Sequence, residues 1–349
     1  MKFGLGPYVP EIADGGRDAY LRVLADVARA ENSAFDSVWV AERHFSASGA
    51  CSASFPLAGA VAVRTAGMRV GVLCELGLSH PAYVAEDAAT LDNLSAGRLT
   101  LGVTKPREEA WGGYNIRPED RDGRFRESIA VLQRAWAPQP FSFEGVHFRI
   151  PARLHQNVFT RGQSEVSFTP KPAQLTIPLW LLVEEKAEAA FAAEADLTPI
   201  LPIDLPLAAL QTTVSAYRQS HRSRPSDIVA LIRHVVVARD RNKARSLAAP
   251  ALRAYYERTG VAGLSVDAAV EGAMEEWAIV GDVDTCIERV QRYRDELGVN
   301  YLICHMALPG LAREEVEDAI DLFGKAVISE FRMVDFPREI RQRFLEALT

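Results

Sequence analysis

The chain has 349 residues, 48% of them hydrophobic and 24% charged, and a formal net charge of −7. That length holds one large domain or two small ones, and the composition supports a sizeable buried core. Acidic and basic residues are interspersed with no basic face for nucleic acid, and no run of about 18 apolar residues suits a membrane span.

Short apolar runs alternate with longer helical patterns. The start, MKFGLGPY, has no apolar signal segment, which points to the cytoplasm, and passes directly into a first strand over Lys2–Pro7. Gly4-x-Gly6 continues into Pro7 and Tyr8 rather than a helix start, so the dinucleotide fingerprint of an open doubly wound sheet is missing. Further strands are expected at Asp36–Val40, Met68–Glu75, Arg98–Val103, Pro178–Val183, Thr198–Leu201, Ile228–Ala238 and Val299–Cys304. Most are apolar throughout, as parallel strands covered on both faces should be.

Helices are expected between them. Asp18–Glu31 carries Leu21, Leu24, Ala25 and Ala28 at helical spacing. Phe55–Arg64 follows Ser54, a reasonable N-cap, and has Pro56 near its first turn. Tyr83–Leu94, Arg124–Trp136, Lys186–Ala195, Leu207–Ser220, Arg241–Arg258, Asp284–Leu297 and Glu314–Ile328 complete the set. Eight strands alternating with helices over one domain, 1–349, predict a (β/α)8 TIM barrel. Two stretches break the alternation. Residues 141–171 read as a hairpin with a Pro-rich return, and residues 251–280 as a helical excursion over the barrel mouth. Such insertions commonly carry substrate contacts.

Barrel chemistry gathers at the C-terminal ends of the strands. His44 lies just past strand two, where an imidazole can serve as general acid or base, with Glu42 and Arg43 beside it. Glu75 ends an apolar strand and must either face the mouth or pair with an arginine. Its neighbour Cys74 reads as a small core residue. Thr104, Lys105, Pro106 and Arg107 follow strand four, and their two cations suit either an anion or a solvated turn. Glu184, Glu185 and Lys186 open a helix, where carboxylates ordinarily cap free N–H groups. His305 and Met306 follow the last strand and are expected to face the mouth. His80 reads as a helix-entry residue and His234 as a structural strand residue. Trp111 and Trp180 flank the mouth, able to stack on a planar ligand or to fill core. The four cysteines form no CxxC, and the seven histidines form no HxH or HExxH, so neither a disulfide framework nor a metal site is expected.

Four segments in order carry a family resemblance. They are WVAERHF (Trp39–Phe45), HPAYVAEDAATLDNLSAGRLTLGV (His80–Val103), WAPQPFSFEGVHF with PKPAQLTIPLW, and IVGDVDTCIERVQRYRDELGVNYLICHM. The chain resembles the bacterial luciferase-like monooxygenases over nearly its whole length. That resemblance implies a β/α barrel, reduced FMN supplied by a separate reductase or taken from solution, molecular oxygen, and a homodimer formed through helices near strands two to four. It also implies oxygenation of a small organic substrate, by hydroxylation or Baeyer–Villiger chemistry, with the flavin ring in the mouth. His44 matches the catalytic histidine, Thr104 the position facing the ring, and Lys105 the basic residue near the phosphate. With Glu75, Arg107 and the strand-five end Val183, Glu184 and Glu185, these are the expected cofactor contacts. Trp111, His305 and Met306 are the expected substrate pocket.

The sequence departs from the family pattern at the phosphate. Arg43 replaces the first histidine of a Glu-His-His-Phe element. Pro106 removes an N–H donor, and Glu185 and Glu188 fall where small hydroxyl residues are usual. A carboxylate within about 4 Å of a phosphate dianion costs several kcal/mol at intermediate dielectric unless countered. Two alternatives therefore stand beside the flavin monooxygenase. One is the same fold working with a deazaflavin coenzyme or without flavin, and the other is a non-catalytic barrel that binds a ligand or partner.

Overall fold

The computed structural model describes residues 1–9, 16–46, 51–151, 164–220, 227–261 and 263–332. Eight parallel strands close into a barrel: β1 (Lys2–Tyr8), β2 (Ser37–Ala41), β3 (Arg69–Glu75), β4 (Leu99–Thr104), β7 (Leu179–Leu182), β8 (Thr198–Leu201), β9 (Ala230–Val237) and β11 (Tyr301–His305). The order β9-β11-β1-β2-β3-β4-β7-β8 is closed by a β8–β9 pairing. Each predicted strand corresponds to one of these. Between β4 and β7 the strands β5 (Phe143–Glu144) and β6 (Arg149–Ile150) form the antiparallel hairpin expected in the first excursion, of which residues 152–163 lie outside the described residues.

The helices are α1 (Gly16–Asn32), α2 (Ser54–Arg64), α3 (Pro81–Leu94), α4 (Glu108–Gly113), α5 (Arg121–Ala135), α6 (Lys186–Glu194), α7 (Leu207–Ser220), α8 (Arg241–Thr259), α9 (Val266–Gly272), α10 (Val283–Leu297), α11 (Arg313–Leu322) and α12 (Ser329–Arg332). The second excursion is helical, as expected, through the end of α8, α9 and a π-helical turn at Ala273–Trp277. It then adds a short strand that the sequence did not suggest, β10 (Ile279–Gly281), which pairs with the outer half of β9. Three residues are too few for a periodic signal. The last helix is broken by a π segment at Phe323–Ile328, where Gly324 backs onto Ser33 so closely that a Cβ would lie 1.9 Å from its carbonyl oxygen.

A tryptophan fills the barrel interior. Trp39 on β2 is 1% exposed and packs with Trp180 and Tyr301, ring centroids 5.2 and 6.4 Å away. Gly4, Gly71 and Gly102 make room for it on three other strands, and a Cβ on Gly71 would stand 2.2 Å from the indole. Trp180 is therefore core, not a mouth platform. Around the barrel, a continuous apolar layer joins the strands to the helices. Val84, Ala88 and Leu91 of α3 belong to it, so that helix face packs on the barrel rather than offering a dimer surface. Ser54 is not an N-cap. Ala53 holds that position, and the Ser54 hydroxyl donates to Glu42 Oε2 at 2.8 Å. No helix among the described residues is long and apolar enough to cross a membrane.

Candidate active site

The C-terminal ends of β2, β3, β4 and β7 bring one group of polar side chains together. Beyond β2 the chain stays extended through Glu42, whose N–H bonds to Leu73 of β3, and through Arg43, which pairs with Cys51. Residues two apart on an extended chain share a side, so Glu42 and His44 meet. His44 Nε2 lies 2.7 Å from Glu42 Oε1, and Tyr114, just beyond α4, puts its hydroxyl 3.3 Å from His44 Nδ1. Glu42 accepts at one oxygen from Ser54 and at the other from the imidazole. The carboxylate fixes a proton on Nε2, which leaves Nδ1 as the atom that exchanges protons.

His44 is 8% exposed. Burial disfavours a charge on its ring. The hydrogen bond and charge of Glu42, with the charge of Glu75, outweigh that effect and raise its pKa above the ordinary value. Glu75, at the end of β3, is 4% exposed, and its Oε2 has no hydrogen-bond partner among the described residues. Burial pushes its pKa up to about 7, against the charges of Arg43, His44 and Arg107. A buried carboxyl with a raised pKa in a mouth is one mark of functional sites.

Arg43 and Arg107 oppose these acids. Neither makes an ion pair within 4 Å among the described residues. Burial first, then the neighbouring Arg107, lowers the pKa of Arg43, while Glu75, Tyr255 and Glu184 favour its charge. Glu184 is itself raised, by burial and by Glu188, against both arginines. Arg107 is exposed at the N-terminal end of α4.

The corner that the resemblance assigns to the phosphate is already filled. Glu188 turns back over the first turn of α6, and its Oε2 accepts from the Glu184 and Glu185 N–H groups at 2.8 and 3.2 Å. This is the capping role that carboxylates ordinarily take there. Lys105 is held by Asp122 at 3.1 Å and by Glu188 at 3.2 Å. Burial works against its charge, but these partners raise its pKa. Thr104, half-buried at the end of β4, directs its hydroxyl to the Lys105 carbonyl at 3.3 Å. The helix terminus and the lysine that a phosphate monoester would use are thus committed to Glu188, and FMN's phosphate does not fit the corner as it stands.

The other expected residues separate. Val183 is fully buried and its N–H bonds to the Ile200 carbonyl at 2.9 Å. Trp111 packs with Leu78, Ala110 and Ile116 in a small cluster beneath α4. Met306 is 1% exposed, inside the main core. His305 is half-buried at the end of β11, with its Nδ1 2.9 Å from Nδ1 of His234. His80 caps α3 by accepting from the Ala82 N–H. Cys74 is buried, and burial raises its thiol well above the usual range. Sequence reasoning did not reach Tyr114, Tyr255 or Asp204. Each lies on a connection outside the strands and meets its partner only through the closed barrel.

A sequence model of the luciferase-like monooxygenase family matches residues 7–301. The chain is 27% identical over 337 residues to the uncharacterized protein y4wF of Sinorhizobium fredii, covering 89% of this chain and 92% of that one. It is 26% identical over 338 residues to an F420-dependent glucose-6-phosphate dehydrogenase of Nakamurella multipartita, covering 88% and 92%. The crystal structure of monooxygenase RslO1 from Streptomyces bottropensis superposes with a TM-score of 0.80 at 22% identity, covering 95% of this chain and 100% of that one, which reflects the shared fold. With the family match spanning most of the barrel, the chain belongs to the luciferase-like monooxygenase family.

Proposed function

We propose that this protein is an oxidoreductase that moves a hydride between a small organic substrate and a deazaflavin coenzyme, with His44 as its acid–base group. The observation that carries this reading is the Glu42–His44–Tyr114 arrangement at the barrel mouth. A buried imidazole with one nitrogen committed to a carboxylate is built to exchange a proton at the other. When bound, the coenzyme supplies the two-electron acceptor or donor. His44 Nδ1 takes the hydroxyl proton of an alcohol as its carbon loses hydride, or returns it to a carbonyl in the reverse direction. Tyr114 shares that proton and Glu42 stabilises the imidazolium.

Three considerations favour a deazaflavin over FMN. The phosphate corner is occupied by Glu188, and a singly charged phosphodiester asks less of it than a monoester dianion. Arg43 and Arg107, which form no ion pair among the described residues, leave positive charge for an acidic coenzyme tail. The relative in Nakamurella multipartita, similar over most of both chains, is named for F420.

A second reading is favoured by the family match itself: oxygenation of a small substrate with a reduced flavin, oxygen and a partner reductase. The two separate in one assay. Wild type and His44→Gln are offered oxidised deazaflavin with a panel of small alcohols, and in parallel reduced FMN with oxygen. The proposal expects absorbance loss of the deazaflavin by wild type and at least a hundredfold slower loss by the variant. Product oxygenation only in the FMN arm would establish the second reading instead.

A further inference from the structure

On the β9–β11 side of the mouth stands a second histidine–carboxylate group. β9 and β11 are in register at His234 and His305, which places the two rings side by side. Their Nδ1 atoms are 2.9 Å apart, so one must donate and the other accept. His234 is completely buried, and its Nε2 makes no hydrogen bond among the described residues. Facing that nitrogen at 3.4 Å is Oδ1 of Asp204, on the loop after β8. The same oxygen accepts from the Tyr256 hydroxyl at 2.9 Å, which accepts from the Trp277 indole at 3.1 Å. Tyr255 covers both imidazoles, with ring centroids 4.5 and 5.6 Å away. A loop, two strands and the second excursion therefore converge on one pair of rings, His234 buried and His305 half-buried.

The tautomers follow from the charges. A lone pair on His234 Nε2 would confront a carboxylate, so that nitrogen carries the proton. His234 Nδ1 is then the acceptor, and His305 donates from Nδ1. That leaves the lone pair of His305 on Nε2, which has no hydrogen-bond partner among the described residues, on a ring that is half-buried at the end of β11.

We propose that Asp204 and His234 are positioning residues that hold His305 in its Nδ1–H tautomer, so that His305 Nε2 faces the mouth as a second proton acceptor. A proton arriving at Nε2 is matched by transfer of the Nδ1 proton to His234 Nδ1. The charge then rests on His234 beside Asp204, and His305 stays neutral throughout. Burial and the neighbouring His234 push the His305 pKa down to about 3, which agrees with a ring that passes protons without keeping them. This inference takes from the proposed function only that the mouth is where reaction occurs.

The test is imidazole nitrogen NMR on histidine-labelled full-length protein at pH 7.5, assigned with His305→Gln and His234→Gln. The expected result is a protonated Nδ1 and an unprotonated Nε2 at His305, the reverse of the tautomer that dominates in free histidine. Asp204→Asn is expected to return part of His305 to the common tautomer, whereas Tyr256→Phe, which keeps the carboxylate, leaves it unchanged. An Nε2–H tautomer at His305 in the wild type overturns the proposal, whether or not the variants fold. So does a folded Asp204→Asn protein with unaltered His305 signals. Absence of deazaflavin turnover would defeat the proposed function while leaving the tautomer result intact.

Discussion

His44 Nε2 and Glu42 Oε1 are 2.7 Å apart, two residues from one another at the same strand end. The pair has a direct consequence for titration. Glu42 is the main cause of the raised His44 pKa, so Glu42→Gln should lower it, seen as a downfield-to-upfield imidazole transition at lower pH by NMR. The sign for stability follows. A histidine whose folded pKa is raised adds stability that is fully present below its unfolded value and disappears as pH rises through the folded one. Glu42→Gln should therefore cost more melting temperature at pH 5 than at pH 8. An unchanged His44 transition would separate the two residues.

Glu75 works in the opposite direction. Burial raises it to about 7, so its ionised form opposes folding. Stability from this group is present below the unfolded carboxyl range and is lost as pH rises to and through 7. Glu75→Gln should stabilise the protein at pH 8 by about 3 kcal/mol and change it little at pH 4. Thermal melts at the two pH values check this, and equal shifts would refute the assigned cause.

Glu188 blocks its own helix terminus. Glu188→Ser frees the Glu184 and Glu185 N–H groups and releases Lys105 from one partner. Affinity for the phosphate of FMN should rise on the order of tenfold, since each charged hydrogen bond is worth about 1.5–3 kcal/mol. Calorimetric titration with FMN against riboflavin isolates the phosphate contribution. No gain in the FMN-to-riboflavin ratio would contradict the blocking role.

Gly71 is required by Trp39. Gly71→Ala places a methyl 2.2 Å from the indole inside the barrel, and overpacking of that kind costs about 1–3 kcal/mol. A denaturation midpoint should fall accordingly, and Trp39→Phe should recover part of the loss.

Much of the barrel was legible because its signals are local. Each parallel strand is an apolar run, and the alternation of strands with helical patterns names the architecture. The stripe expected in α1 is corrected: Val23, Val27 and Ala30 face the core, whereas Leu21, Ala25 and Ala28 are exposed. The position of His44 followed from strand order alone, with Glu42 noted only as a polar neighbour; the period of an extended chain explains why the two meet. The capping role of the α6 carboxylates was readable for the same reason, since Glu185 and Glu188 are three residues apart. What escaped the sequence depends on closure. Tyr114 reaches His44 across 70 positions, and His234 meets His305 only because β9 and β11 are neighbours. An apolar run such as LIRHVVV gives no hint that its histidine has a buried partner. Trp111 and Met306 follow strand ends in sequence, yet burial in α4's cluster and in the main core takes them away from the polar group at the mouth.

The central claim is the coenzyme and its proton partner. Anaerobic titration with reduced deazaflavin coenzyme and with reduced FMN, followed by fluorescence, tests it most directly. The account predicts micromolar binding of the deazaflavin, FMN binding at least tenfold weaker, and deazaflavin affinity retained in His44→Gln while turnover is lost. Tight FMN binding with no measurable affinity for the deazaflavin would contradict it.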